Sequence, residues 1–118
     1  LRNAVCLRFS EDIGRLVENI VFIELKRRGK EVCYWKDKRQ REVDFIIKEG
    51  LKPNLIMQVC WDVSNEETKK REVSALVSGL KELKLESGLV ITEDYEDEDR
   101  VDGKLIKYMP LWQWLCES

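Results

Sequence analysis

Asn54-Leu55-Ile56-Met57-Gln58-Val59-Cys60-Trp61-Asp62 is the stretch on which the fold turns. It is nearly all apolar, and a strand of that kind is usually central, with both faces covered. Ser64-Asn65-Glu66-Glu67 follows and reads as a capping box. It opens a helix with Val73, Leu76, Val77, Leu80 and Leu83 on one side, for which Gly88 is the expected stop. Leu89–Thr92 is the next strand. A strand that returns to its sheet through a helix lies parallel to the one before it, so these two strands are expected to be parallel.

Working back from Asn54, Glu49–Pro53 contains Gly50 and Pro53 and is expected to turn. Glu42–Lys48 reads as a strand, with Val43, Phe45 and Ile47 alternating against Glu42, Asp44 and Ile46. Asp37–Gln40 is turn-like, and Glu31–Trp35 is a further strand. Before it stands a helix, with Ser10 as N-cap and Glu11 and Asp12 in its first turn. The helix runs to about Arg28 and ends at Gly29. Ile13, Leu16, Val17, Ile20, Val21 and Leu25 form its expected apolar face. Lys26, Arg27 and Arg28 occupy its last turn, where the helix dipole favours cations. Beyond Thr92, the acidic run Glu93–Asp102 reads as a loop, Lys104–Met109 as a strand, and Pro110 as the first position of a short helix carrying Leu111, Trp112 and Leu115. The order is helix, three strands, helix, two strands, helix. It predicts an α/β domain over residues 1–118, with a mixed sheet flanked by helices on both faces.

Composition narrows the function classes. The 118 residues are 43% hydrophobic and 37% charged, which suits one globular domain rich in surface ion pairs. No apolar run nears the roughly 20 residues of a membrane span, and no secretory signal is visible, so the expected location is cytoplasmic. The chain begins at Leu1 rather than Met, and we expect it to be a piece of a longer protein. Cys6, Cys33, Cys60 and Cys116 form no CxxC pair, which gives a structural zinc site little support and favours reduced thiols. The chain has no histidine, which removes Ser-His-Asp and Cys-His catalysis and histidine-ligated metals. Any metal would be a hard ion held by oxygen, such as Mg²⁺.

Net charge is −2, so no global basic field points to nucleic acid. Residues 1–50 carry 12 Lys/Arg against 9 Asp/Glu, and residues 51–118 carry 9 against 14. The basic excess lies in Lys26–Lys30 and in Lys36, Lys38, Arg39 and Arg41; the acidic excess lies in Glu93–Asp102. Solvated surface is the plain reading of both.

Three polar residues stand where a core pattern prefers apolar ones. Asp44 lies between Val43 and Phe45, and Gln58 between Met57 and Val59. Glu24 projects at about the angle of Ile13, Val17 and Ile20, with Glu18 on the flank of that face. Each has a structural explanation. Asp44 can face solvent, Gln58 can bond the backbone, and Glu24 can pair with a nearby Arg or Lys. Yet a helix packed on this meander brings a helix carboxylate, a strand carboxylate and a strand amide towards one spot. That is the layout of a metal-dependent nuclease, in which carboxylates hold Mg²⁺ against the scissile phosphate and a lysine stands beside the attacking water.

Gly14-Arg15-Leu16-Val17-Glu18-Asn19, Val21-Phe22-Ile23-Glu24-Leu25, Glu42-Val43-Asp44-Phe45 and Ile56-Met57-Gln58-Val59-Cys60 together resemble one family. Thr68, Arg71-Glu72, Ala75-Leu76 and Pro110-Leu111-Trp112 extend the resemblance. It is the domain of unknown function found C-terminal to the ATPase module of archaeal and bacterial AAA-type ATPases. That domain is similar to the PD-(D/E)XK, restriction-endonuclease-like superfamily. The resemblance implies a nuclease-like core of order αβββαβ, with an extra strand and a C-terminal helix. It also implies an ATP-binding ATPase module upstream in the same chain, since no phosphate-binding Gly-rich loop occurs here.

By this resemblance Glu18, in a G-x-x-x-E pattern from Gly14, takes the place of the helix glutamate, with Glu24 as its rival. Asp44 matches the strand aspartate, and Glu18 and Asp44 would be the metal carboxylates. Gln58 and Cys60 fall where the superfamily has (D/E)-x-K, and both depart from it. Gln58 offers a carbonyl oxygen but no charge. Cys60 brings no cation, since a thiol of pKa about 8.5 cannot do a lysine's electrostatic work. A water-activating group would have to come from elsewhere, such as Lys69 or Lys70, while Arg39, Arg41 and Arg71 are the candidate phosphate contacts.

Three readings stand open. One is a catalytically degenerate nuclease-fold domain that binds nucleic acid or couples to its ATPase. Another is an active Mg²⁺-dependent endonuclease with a relocated lysine. The third is a protein-interaction or oligomerisation domain using Trp61, Trp112 and the acidic run.

Overall fold

The computed structural model describes residues 9–36, 42–49 and 52–117. Chain order is α1 (Phe9–Arg27), β1 (Glu31–Lys36), β2 (Glu42–Glu49), β3 (Lys52–Val59), α2 (Glu66–Leu83), β4 (Ser87–Thr92), β5 (Asp97–Val101), β6 (Lys104–Pro110) and α3 (Leu111–Cys116). Among the described residues the strands form one sheet in the order β1-β2-β3-β4-β6-β5. β1, β2 and β3 make the antiparallel meander. β4 lies parallel to β3, with Gln58 opposite Val90, as the helical crossover requires. β6 continues parallel to β4, and β5 closes the edge antiparallel to β6.

Strand alternation divides the core in two. Phe45, Ile47, Met57, Val59, Leu89, Ile91 and Met109 face Val17, Val21 and Leu25 of α1 and Trp114 of α3. Ile46, Ile56, Cys60, Val90, Ile106 and Tyr108 face Leu76, Val77 and Leu80 of α2. The expected mixed sheet covered on both faces is therefore the observed one.

Several local expectations are corrected. Ser10 is inside α1 rather than its N-cap, because the helix begins at Phe9. Leu16 is 58% exposed, one residue round from the Val17-Val21-Leu25 stripe that meets the sheet. The α2 N-cap is Asn65, whose side chain accepts from the Thr68 N–H. Ser64 is diverted, because its hydroxyl and backbone N–H both donate to Asp62 Oδ1. α2 stops at Lys84, which takes the left-handed conformation at φ 60, rather than at Gly88. Gly88 lies in β4, where a Cβ would fall 2.8 Å from Leu76 Cδ1, so its lack of a side chain lets helix and sheet close up.

The turn expected at Glu49–Pro53 is shorter, since β2 runs to Glu49 and β3 starts at Lys52. A register shift after Ile47 admits Pro53 to the pairing, opposite Lys48. The acidic run is not all loop: Asp97–Val101 is a strand, and residues 97–100 are exposed on it. Pro110 ends β6 and holds the N-cap position of α3 rather than its first turn. The expected turn at Asp37–Gln40 lies outside the described residues. Cys33, Cys60 and Cys116 are free thiols, and Cys6 also lies outside them. Among the described residues no helix is long and apolar enough to cross a membrane.

Candidate functional site

β3 ends between an antiparallel neighbour, β2, and a parallel one, β4, with α1 over one face and α2 over the other. Backbone order breaks there. Cys60 leaves the strand while its N–H still donates to the Ile91 carbonyl at 2.9 Å. The chain then climbs through Trp61 and Asp62 to the start of α2. The crevice so formed is a cavity of about 420 Å³, lined by Arg15 and Glu18 of α1, Cys60 and Asp62 beyond β3, and Thr68, Arg71 and Glu72 of α2. Carboxyl ends of strands are where open α/β sheets place their ligand crevices.

Gln58 is fully buried beneath this crevice. A buried amide in a strand must find a partner, and the crossover supplies one from α2. Gln58 Nε2 donates to Glu72 Oε2 at 2.6 Å. The amide nitrogen must face the carboxylate, because an ionised carboxylate only accepts. Arg71 approaches the other oxygen of Glu72 at 3.5 Å. Burial raises the Glu72 pKa above the ordinary carboxylate value, with Arg71 and Gln58 acting against it. Cys60 is also buried, and its thiol is pushed up to about 11, first by burial and then by Glu72 and Asp62. It is protonated at neutral pH and is no nucleophile there.

Of the two rival helix glutamates, Glu18 lines the cavity. Glu24 lies six residues further along α1, about 9 Å along the axis. Two arginines hold it: Arg27 Nε donates to Oε1 at 2.9 Å, and Arg28 Nε to Oε2 at 2.6 Å. The hydrogen bond from Arg27, then that from Arg28, brings its pKa down to about 2. Arg28 also donates to the carbonyls of Trp114 at 3.1 Å and Glu117 at 2.6 Å, and stacks over the Trp114 ring. Arg28, ion-paired to Glu24, is thus the tie between α1 and the α3 end of the fold.

Asp44 is in β2, directly before Phe45, which pairs with Met57, the residue preceding Gln58. Arg39 and Arg41 lie outside the described residues. Lys69 and Lys70 do not line this cavity. They line a separate groove between α2 and the β5–β6 hairpin, where Lys69 sits 5.4 and 5.3 Å from the Tyr95 and Tyr108 ring centres. The cations at the crevice are Arg15 and Arg71. Trp61 is half-buried against the α1-side core, whereas Trp112 is exposed.

Arg15 is a lining residue that sequence reasoning passed over, although it stands between Gly14 and Glu18. Glu72 enters the sequence reading only through the resemblance, because its bond to Gln58 spans 14 residues and a crossover, and no local pattern announces it.

Of the two carboxylates expected to hold a metal, Glu18 lines the crevice, and the side chain of Asp44 lies outside the described residues. No group of three or more Cys, Asp or Glu among the described residues could hold a divalent cation.

Fold and site together define a mixed α/β domain with a charged crevice at the carboxyl end of its central strand. A family profile described as a domain of unknown function, DUF4143, matches residues 13–114, and the chain belongs to that family. It is also similar to the uncharacterized protein MJ1544 of Methanocaldococcus jannaschii, at 38% identity over 117 residues, covering 92% of this chain and 26% of that protein. The chain thus spans about a quarter of its relative's length.

Proposed function

We propose that this domain is a nuclease-fold accessory module of an AAA-type ATPase that has lost catalysis and holds nucleic-acid phosphate at the β3 crevice. The observation that carries this reading is the Gln58-x-Cys60 pair at the end of β3. One position holds a neutral amide donating to Glu72, and the other a buried, protonated thiol. A nuclease of this layout needs an anionic metal ligand and a cation there. Arg15 and Arg71 supply positive charge at the crevice, and Arg71 is largely exposed. A guanidinium matches phosphate geometry, stays charged and is no general base, which suits holding rather than cutting. The relative's length, about four times that of this chain, leaves room for an ATPase module.

The test incubates the protein with single- and double-stranded DNA and RNA, in Mg²⁺ and in Mn²⁺, and follows both binding and cleavage. Salt-sensitive binding without cleavage is expected, weakened several-fold by Arg15→Ala and by Arg71→Ala. Metal-dependent cleavage abolished by Asp44→Ala would overturn the loss of catalysis. Absence of binding to all four substrates would overturn the phosphate role.

A further inference from the structure

Gly14 sits in the body of α1 and lines the β3 crevice. Glycine is, after proline, the poorest residue for a helix interior. Packing does not call for it, because a Cβ at position 14 would meet no atom within 4 Å. Gly88 is the contrast, since a side chain there would run into Leu76. What the glycine at position 14 keeps clear is the crevice itself. Trp61 lines the same cavity. It is half-buried, with part of its side chain packed on the core beneath α1. The end of β4 fixes the backbone on either side of it. Cys60 N–H donates to the Ile91 carbonyl at 2.9 Å, and Glu93 N–H donates to the Trp61 carbonyl at 3.2 Å. An indole carried on a held backbone costs a ligand little to order.

The charges of the crevice show why an aromatic surface matters there. Arg15 and Arg71 share it with three carboxylates, Glu18, Asp62 and Glu72. Two guanidinium groups in that company can hold one phosphate but not a run of them. A nucleic-acid strand held there needs a second source of affinity, and stacking of a base on an aromatic side chain is one. The volume of about 420 Å³ lies in the range of sites for a single small molecule, so it suits one nucleotide and not a duplex. In a duplex the bases are paired and stacked on one another, and their faces are not on offer.

We propose that the crevice selects single-stranded nucleic acid, taking one unpaired base against Trp61 in the space beside Gly14 while Arg15 and Arg71 hold its phosphate. This deepens the phosphate-holding reading above and rests on it. Stacking is tolerant of base identity, so a strand is chosen for being unpaired and not for its sequence.

Fluorescence anisotropy with short labelled DNA and RNA, each as a single strand and as a duplex, tests this on the whole chain. The wild type is expected to bind single strands about tenfold more tightly than duplexes. Its log–log salt slope on them should be about −1.4, as two phosphate contacts give. Gly14→Leu fills the space with a better helix former. Its circular dichroism spectrum and Tm should match or exceed the wild type, while single-strand affinity falls about tenfold. Trp61→Phe keeps a smaller stacking face and should lose affinity a few-fold. It should also lose the quenching of tryptophan emission that single strands cause in the wild type. Three results would each overturn this proposal and leave phosphate holding intact: equal affinity for strands and duplexes, a folded Gly14→Leu variant that binds as the wild type does, or quenching that persists in Trp61→Phe. No binding to any of the four nucleic acids would overturn both readings.

Discussion

The C-terminal end of α1 and the N-terminal half of α2 each hold a half-buried glutamate, and they treat it in opposite ways. Glu24 meets two guanidinium groups in good hydrogen-bonding geometry, and its charge is stabilised. Glu72 is taken out of water with one neutral amide and one more distant arginine, and its charge is opposed. An ion pair that closes on itself is structural. A carboxylate desolvated at the wall of a crevice, with its charge opposed, is a candidate for a functional site. The contrast separates the joint of this molecule from its candidate site.

The comparison breaks most visibly at Gln58. Gln58→Leu keeps the volume but leaves the part-buried Glu72 oxygen without its amide donor. We expect a loss of about 2–3 kcal/mol, read from the denaturant midpoint at unchanged slope. A variant as stable as wild type would mean that Glu72 does not depend on the amide.

Arg28→Ala attacks the other side. It removes bonds to Glu24 and to two carbonyls, together with stacking on Trp114. The expected cost is about 1–2 kcal/mol, because this region is more exposed to water than the floor of the crevice.

The two glutamates should also divide by pH. The folded pKa of Glu24 lies at about 2, below its ordinary 4.5. Its stabilisation is therefore present above pH 4.5 and is lost as pH falls towards 2. The folded pKa of Glu72 is raised, so its carboxyl favours the fold at low pH, and that contribution is lost as pH rises through the folded value. Thermal unfolding across the acid range should show Glu24→Gln with less acid destabilisation than wild type. Glu72→Gln should show the reverse, gaining relative to wild type towards neutral pH. Profiles that shift in the same direction would undo the distinction.

The smallest effect is at Cys60. Glu72→Gln removes one of the charges that hold the thiol up, so thiol titration should give a value below about 11. It should stay above the ordinary value, because burial is the larger cause.

Much of this architecture was legible where apolar spacing carries it. The run Ile56–Cys60, the α2 stripe and the parallel crossover were all readable, because burying apolar surface selects the period and the handedness. β5 was not, since Asp97-Glu98-Asp99-Arg100 has no apolar alternation, and its pairing comes from the backbone of β6. The α2 cap moved by one residue because Asp62 competes for Ser64, a contest between neighbours that composition cannot rank. At the site, helix phase favoured Glu24 and the G-x-x-x-E pattern favoured Glu18. Arg27 and Arg28 decide what Glu24 does, and both were visible three and four residues away. The Gln58–Glu72 bond was not visible, because it depends on how tightly α2 closes over β3.

That unforeseen β5 also governs how the sheet ends. An open strand edge is a template, and a second chain can add to it as a monomer adds to a growing polymer. Asp97, Glu98 and Asp99 are exposed along this edge, so two such edges meeting would align carboxylate against carboxylate. In the terms of polymerisation, this strand is a terminated end: a second β5 laid against it is repelled rather than added.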